Sequence, residues 1–353
     1  MARRPGELRL RPAPEAVALV GMRLLDAARA AAGRLSDPDD AEALHDFRVA
    51  LRRLRTLLRS FRDEVGDIVP KKLQRRLRDV ARSTGPGRDA EVQLAWIQAH
   101  KPELGGSPRP GVPWFIARLE GRRDRAYTSI REDGPPEFRQ LERRIRRALN
   151  RALTDTTPGR PALAAATGRL LRAHVTELEL ELETARATRD EAAIHRARIA
   201  LKRLRYLLEP LQGDGLTEAS IIDRLKQLQD LLGELHDLHA LAGELGDASA
   251  DAAAERARRQ HDAAVRAPRV TVRRPARPAP GSAGLMALAR LAAQWEERLF
   301  ARLANEWLQD ALPALLQDVT RWGETLAVPI LVHRPRSKAA PTRRSATRPA
   351  RAE

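Results

Sequence analysis

The stretch LHDFRVALRRLRTLL, residues 44–58, decides how this chain folds, because the chain contains it twice. Residues 194–208 read IHRARIALKRLRYLL, so that nine of fifteen positions are identical and three more are conservative replacements. An agreement of this length at a constant offset does not arise by chance, and it indicates an internal duplication.

Shorter matches extend the duplication on both sides of the repeated stretch. Arg23-Leu24-Leu25 recurs upstream as Arg169-Leu170-Leu171, and the downstream element Gly85-x-x-x-Asp89 recurs as Gly233-x-x-x-Asp237. Order and spacing are therefore kept over about 70 residues in each half. We predict two homologous halves, about 14–152 and about 160–330, related by a pseudo-twofold axis.

Helical geometry divides the repeated stretch into a cationic side and an apolar side. At about 100° per residue, the first copy places on one side His45, Arg48, Arg52, Arg55 and Arg59. The opposite side holds Phe47, Leu51, Leu54, Leu57, Leu58 and Phe61. The second copy repeats this division, with a cationic side formed by His195, Arg198, Lys202 and Arg205. The next segment of the first half adds one more basic face, formed by Lys71, Arg75, Arg78 and Arg82.

Neighbouring cations on one helix face repel each other by a few tenths of a kcal/mol per pair. A solvated surface face is the ordinary explanation of such a run, but two copies with the same phase favour a bound anion. In the second half, Glu209 takes the place of Arg59, and Asp223 and Asp230 take the places of Arg75 and Arg82. We therefore expect the anion to lie asymmetrically.

Apolar residues recur at three- and four-residue spacing in almost every segment, so the chain is predicted to be all-α. The alternating segment 177–183, ELELELE, is interpreted as helix because a helical stripe of leucines runs through it. The predicted helices are 14–32, 40–64, 68–82, 88–100, 112–132, 136–152, 160–188, 190–211, 217–235, 237–265, 284–310 and 311–325.

Composition excludes several kinds of protein. The 353 residues carry a net charge of +17, which indicates polyanionic partners. The absence of cysteine excludes disulfides, thiolate metal sites and a cysteine nucleophile. No apolar run approaches the roughly 18 residues that span a bilayer, and the first residues lack the apolar core of a secretion signal. We expect a cytoplasmic protein without a membrane partner.

Three segments are predicted to lie outside the helical body. Residues 1–13 form a basic N-terminal extension, and residues 266–280 form a loop rich in proline and arginine. The tail, 331–353, is predicted to be disordered; its part from residue 334 has seven basic residues and one acid. Its net +6 leaves +11 on the rest of the chain.

The pattern His-x-x-Arg-[Val/Ile]-Ala-x-[Arg/Lys]-Arg-Leu-Arg, present twice and each time followed by Gly-x-x-x-Asp, resembles the CHAD domain, the conserved histidine α-helical domain. The resemblance covers most of residues 14–330. It implies two similar four-helix bundles about a pseudo-twofold axis, enclosing a basic central pore. It also implies binding of inorganic polyphosphate and association with polyphosphate granules.

The resemblance implies specific residues for the pore. By motif position, these are His45, Arg48, Arg52, Arg53, Arg55, His195, Arg198, Lys202, Arg203 and Arg205. Helical phase adds Arg59, Arg78, Arg82 and Lys226. His45 and His195 have three interpretations: phosphate donors, packing residues, or metal ligands, of which the last is disfavoured by the arginines three and seven residues on.

Catalysis finds no support in the sequence. The chain has no Gly-x-x-x-x-Gly-Lys-Ser/Thr, Gly-x-Ser-x-Gly or His-Glu-x-x-His motif. We therefore expect a non-enzymatic binding protein without a cofactor or metal. The competing hypothesis is a nucleic-acid-binding protein that attaches to DNA or RNA without sequence preference through its basic surface and tail.

Overall fold

The computed structural model describes residues 8–37, 40, 42–62, 66–105, 111–154, 159–211, 216–266 and 280–327. In these ranges the chain is helical, with one isolated backbone bridge between Pro12 and Ala162, so the all-α prediction is confirmed. The α-helices are α1 (Ala13–Arg34), α2 (Glu42–Ser60), α3 (Lys71–Ser83), α4 (Gly85–His100), α5 (Gly111–Thr154), α6 (Leu163–Thr188), α7 (Glu191–Leu208), α8 (Leu216–Arg266), α9 (Pro280–Arg302) and α10 (Ala311–Ala327).

The two copies of the repeated stretch form helices α2 and α7, which pack against each other. Their apolar sides are buried as predicted, from Phe47 to Phe61 in the first copy and from Leu201 to Leu211 in the second. The ring of Phe47 meets that of Phe138 on α5 edge to face, with 5.0 Å between the centroids. Burial of these faces fixes the side from which the cations project.

The buried apolar residues form two clusters. One is built from α1, α2, α3 and the C-terminal part of α5. The other contains the buried faces of α6 to α10, together with residues of α4 and the N-terminal part of α5, such as Ile97 and Phe115. Helix α5 therefore runs from one cluster into the other, and the two halves of the sequence share helices across their boundary.

Two predicted helix breaks are wrong. Helix α5 continues through Gly134-Pro135-Pro136, and α8 continues through residue 236, where the sequence predicted separate helices. In α5, Ile130 and Phe138 are both buried in the first cluster, on either side of the prolines. Tertiary packing on both sides thus outweighs the local cost of proline.

The alternating segment 177–183 is helical, as predicted. Leu178 and Leu182 are fully buried, whereas Leu180 is 62% exposed, so only the leucines on the helical stripe contribute to the core. Among the helices of the described ranges, none is long and apolar enough to cross a membrane. The predicted tail 331–353, residues 267–279 of the predicted loop and residues 1–7 of the extension lie outside the described residues.

We expect Gly168→Ala to destabilise the fold, because α6 and α10 touch at this glycine. A Cβ atom there would lie 2.6 Å from Gly323 O and 3.0 Å from Ala327 N. Overpacking of this kind costs about 1–3 kcal/mol. The control, Gly243→Ala on α8, adds a Cβ with no atom within 4 Å and is expected to stabilise by about 0.5–1 kcal/mol. Denaturant unfolding of both variants checks this, and equal effects would contradict the close packing of α6 on α10.

Candidate anion-binding site

A cavity of about 580 Å³ lies where α2, α3 and α7 meet, and we call it the basic groove. Its walls combine the cationic faces of α2 and α3 with residues of α7. The lining residues are Arg52, Arg55, Thr56, Leu58, Arg59, Ser60, Lys71, Gln74, Arg75, Leu77, Arg78, Ile199, Lys202, Arg203 and Tyr206. Eight of these fifteen residues are cations and none is acidic, so the groove has a single sign of charge.

Few of the groove cations are neutralised by the protein itself. Arg203 pairs with Glu177 on α6, and Arg78 lies 3.6 Å from the carboxylate of its neighbour Asp79. In the described part of the chain, no carboxylate oxygen lies within 4.0 Å of the other six, which are Arg52, Arg55, Arg59, Lys71, Arg75 and Lys202. An uncompensated cluster of this kind creates a strong positive potential in the groove.

The mutual repulsion is visible in two pKa values. Burial lowers the pKa of Arg55, and the positive charges of Arg78, Arg82 and Arg59 lower it further. For Lys202, burial together with Arg198, Arg52 and Arg205 lowers the pKa to about 6, and Asp237 opposes this only in part. The amine of Lys202 is therefore largely uncharged at neutral pH while the groove is empty.

A second cavity, of about 380 Å³, adjoins the first, and we call it the mixed cavity. It shares Arg52 and Lys202 with the basic groove. Its lining residues are His45, Arg48, Val49, Arg52, Arg88, Asp89, Val92, Arg198, Lys202, Gln229, Asp230, Gly233, Glu234 and Asp237. Five cations face four carboxylates here, so this cavity is nearly balanced in charge.

The mixed cavity brings together equivalent residues of the two repeats. Arg48 and Asp89 come from the first copy, and Arg198 and Asp237 from the second. Burial raises the pKa of both carboxyl groups and lowers that of both guanidinium groups, while the opposite charges act against these shifts. Arg48 also donates to Thr84, to its backbone oxygen and, at 3.1 Å, to its Oγ1. It thereby connects α2 to the turn before α4.

The fourteen residues predicted for the site divide between these two cavities and their surroundings. The basic groove contains Arg52, Arg55, Arg59, Arg78, Lys202 and Arg203. The mixed cavity contains His45, Arg48, Arg52, Arg198 and Lys202. Neither cavity is lined by Arg53, Arg82, His195, Arg205 or Lys226.

Arg53 and Arg205 are occupied by other partners. Both lie near the carboxylate of Glu209, at 3.5 and 3.3 Å, and both guanidinium groups lie over the ring of Tyr206. Arg205 is only 7% exposed. Glu209, which occupies the position of Arg59 in the second repeat, therefore lies close to one arginine from each half.

The other three residues outside the cavities are exposed. Arg82 still acts on the groove, because its charge lowers the pKa of Arg55. The ring of His195 lies 4.9 Å from that of His236, and burial with nearby cations lowers the pKa of His195, and that of His236 to about 4. Lys226 lies on the outer surface of α8.

The structure adds residues that the predicted site set did not contain. Lys71 and Arg75 line the groove, and their helical phase with Arg78 was the signal for them. Asp89 and Asp237 line the mixed cavity. The sequence signal for these two residues was the recurrence of the Gly-x-x-x-Asp element. No cluster of three or more metal-ligating side chains occurs within the described ranges.

Comparison with known proteins identifies a matching family and two solved structures with a similar fold. The model of the CHAD domain family matches residues 21–246. The crystal structure of the CHAD domain from the plant Ricinus communis is 20% identical with a TM-score of 0.55, over 90% of this chain and 94% of that one. PptA from Streptomyces chartreusis is 18% identical with a TM-score of 0.50, over 80% and 98%. No curated protein matches the sequence significantly.

We expect Lys202→Met to flatten the dependence of stability on pH. Between pH 6 and 10.5 the unfolded chain holds a proton on Lys202 that the folded chain lacks. The free energy of unfolding therefore rises with pH in this interval, by at most about 1.4 kcal/mol per unit for one group. Urea unfolding across the interval, for the wild type, Lys202→Met and the exposed-lysine control Lys226→Met, measures the difference. A slope unchanged in Lys202→Met would contradict a buried, uncompensated amine.

Proposed function

We propose, from the premise that this chain belongs to the CHAD domain family, that it binds inorganic polyphosphate in the basic groove and does not transform it. The observation that carries the proposal is the groove itself, which is lined by eight cations and no acid. Polyphosphate is a flexible chain with about one charge per phosphate and no bases to recognise. Its recognition must rely on charge density and shape, and the arginine fork can hold two phosphate oxygens at once.

The basic groove suits this ligand better than the mixed cavity does. In the mixed cavity, the charges of Arg48 and Arg198 are already opposed by Asp89 and Asp237. A polyanion entering there would face four carboxylates. We therefore assign the first residues of the repeated motif to the scaffold, and the later ones that line the basic groove, such as Arg52, Arg55 and Lys202, to phosphate binding.

The proposed arrangement is asymmetric. We propose two homologous helical halves about a pseudo-twofold axis, with the basic groove as their central anion site. Six of the eight groove cations come from the first half, and only Lys202 and Arg203 come from the second. The acids Glu209 and Asp230 of the second half support this arrangement, because they stand where the first half has Arg59 and Arg82.

Polyphosphate binding without catalysis fits a protein that attaches to polyphosphate granules, and we propose this location. The competing hypothesis, sequence-independent binding of nucleic acid, differs in the shape of the ligand. A groove formed between three helices accepts a single flexible strand more easily than a duplex. The comparison of polyphosphate with duplex DNA is therefore part of the first test.

Charge reversal in the groove is expected to weaken polyphosphate binding strongly. Arg55→Glu combined with Arg78→Glu removes two phosphate contacts, and charge-assisted contacts contribute about 1.5–3 kcal/mol each, so affinity should fall by about a hundredfold or more. The matched control is Arg139→Glu with Arg143→Glu, which makes the same charge change on an exposed part of α5. Circular dichroism verifies that both variants remain helical.

The same titrations with duplex DNA separate the two functions. At about 150 mM salt, where surface charges are screened beyond about 8 Å, long-chain polyphosphate should bind more tightly than DNA. This should hold for the full chain and for residues 1–333, which lack most of the basic tail. Equal affinity for DNA in the truncated protein would refute the groove as a polyphosphate site, and so would equal loss of binding in the control pair.

Binding is also expected to take up about one proton per protein near neutral pH. The polyanion raises the pKa of Lys202 from about 6, so the amine becomes charged as the ligand enters. Calorimetric titration with polyphosphate in buffers of different ionisation enthalpy measures the uptake, which Lys202→Met should remove and Lys226→Met should leave unchanged. Uptake that persists in Lys202→Met would identify a different titrating group, and His195 is then the first to examine.

A further inference from the structure

A separate cavity of about 330 Å³ lies on the side of α3 that faces the C-terminal part of α5. We call it the outer cavity. It is lined by Pro70, Lys72, Leu73, Arg144, Arg147 and Arg151. Four of these six residues are cations, none is acidic, and none lines the basic groove.

The cations of the outer cavity are all exposed. Arg144, Arg147 and Arg151 follow each other at spacings of three and four residues, so they share one face of α5. In the described part of the chain, no carboxylate oxygen lies within 4.0 Å of these three arginines or of Lys72. By contrast, Arg146 on the same helix is paired with both Glu142 and Asp26. The protein thus neutralises one side of this helix and leaves the other side positive.

The outer cavity is adjacent to the basic groove. Lys71 lines the groove and Lys72, the next residue in the first turn of α3, lines the outer cavity. The two cavities therefore meet the first turn of α3 at neighbouring residues, which lie about 100° apart around the helix axis. A flexible anionic chain that leaves the groove past Lys71 reaches Lys72 within a few phosphates.

We propose that the outer cavity is a second polyphosphate subsite, which holds the part of a long chain that extends beyond the basic groove. The proposal rests on the proposed function of the groove. It follows from the repeated charge pattern: the outer cavity has the same features as the groove, namely a concave wall, several cations and no acid. Short chains occupy the groove alone, whereas long chains occupy both sites, so the outer cavity makes binding depend on chain length.

The experiment compares two pairs of charge reversals on α5. Arg144→Glu with Arg147→Glu alters the outer cavity, and Arg139→Glu with Arg143→Glu makes the same charge change at exposed positions outside it. Binding of tripolyphosphate, long-chain polyphosphate and duplex DNA is measured for the wild type and both pairs as a function of salt. Arg144→Ala with Arg147→Ala provides a milder version of the first pair.

The outer-cavity pair should weaken binding of long-chain polyphosphate by about tenfold or more relative to the control pair. It should reduce the slope of log affinity against log salt by about 0.7 for each lost contact. Tripolyphosphate, which is short enough for the groove, should bind both pairs equally. The alanine pair should lose less affinity than the glutamate pair, but more than the control pair.

Other outcomes would overturn the proposal in distinguishable ways. If the wild type bound no polyphosphate, the groove and the outer cavity would both be refuted. If the two pairs bound long chains equally, only the outer cavity would be refuted. The same holds if tripolyphosphate lost affinity by the same factor, because the substitutions would then act on the groove from a distance. If the outer-cavity pair weakened the binding of duplex DNA as much as that of long-chain polyphosphate, the outer cavity would be a general polyanion surface and not a polyphosphate subsite.

Discussion

The burial of the apolar faces of α2 and α7 is the constraint on which the rest of the structure depends. Once these faces are packed, the cations that line the basic groove project towards one another and towards α3. Hydrophobic packing thus holds like charges together at an electrostatic cost, and the pKa of Lys202 is lowered first by burial and then by the neighbouring cations. Under the proposed function, a bound polyanion would relieve this cost, because its charge favours the protonated amine.

Along each repeated helix the charge environment changes with position. At its beginning, Arg48 and Arg198 are opposed by buried carboxylates that the Gly-x-x-x-Asp elements supply. One turn further, Arg52 and Lys202 line both cavities. Beyond Arg52 on α2, Arg55 and Arg59 have no carboxylate oxygen within 4.0 Å in the described part of the chain. Beyond Lys202 on α7, by contrast, Arg203 pairs with Glu177 and Arg205 with Glu209. Helix α2 therefore serves two purposes: its first turns contact the second half through the mixed cavity, and its later turns provide uncompensated charge to the groove.

Much of this arrangement could be predicted from the sequence, because periodicity and repetition report on packing directly. The buried faces of α2 and α7 followed from helical phase alone. Helical phase placed Arg205 on the cationic side, but it could not show that Glu209 and the ring of Tyr206 occupy its guanidinium group in place of an anion. Likewise, the continuity of α5 through Pro135 and Pro136 depends on contacts made by Ile130 and Phe138 with residues far away in the sequence.

The two halves of the duplicated sequence carry unequal charge around the groove. Most cations of the groove come from α2 and α3, and α3 is also the helix whose first turn separates the groove from the outer cavity. In the second half, the equivalent residues are continuous with the long helix α8, and Asp230 is among them. If the groove holds polyphosphate as we propose, the chain would meet Asp230 of α8 on the side of the mixed cavity and Lys72 of α3 on the side of the outer cavity. Under the same proposal, this difference in charge favours extension of the chain towards α5, where the outer cavity supplies four cations and no acid.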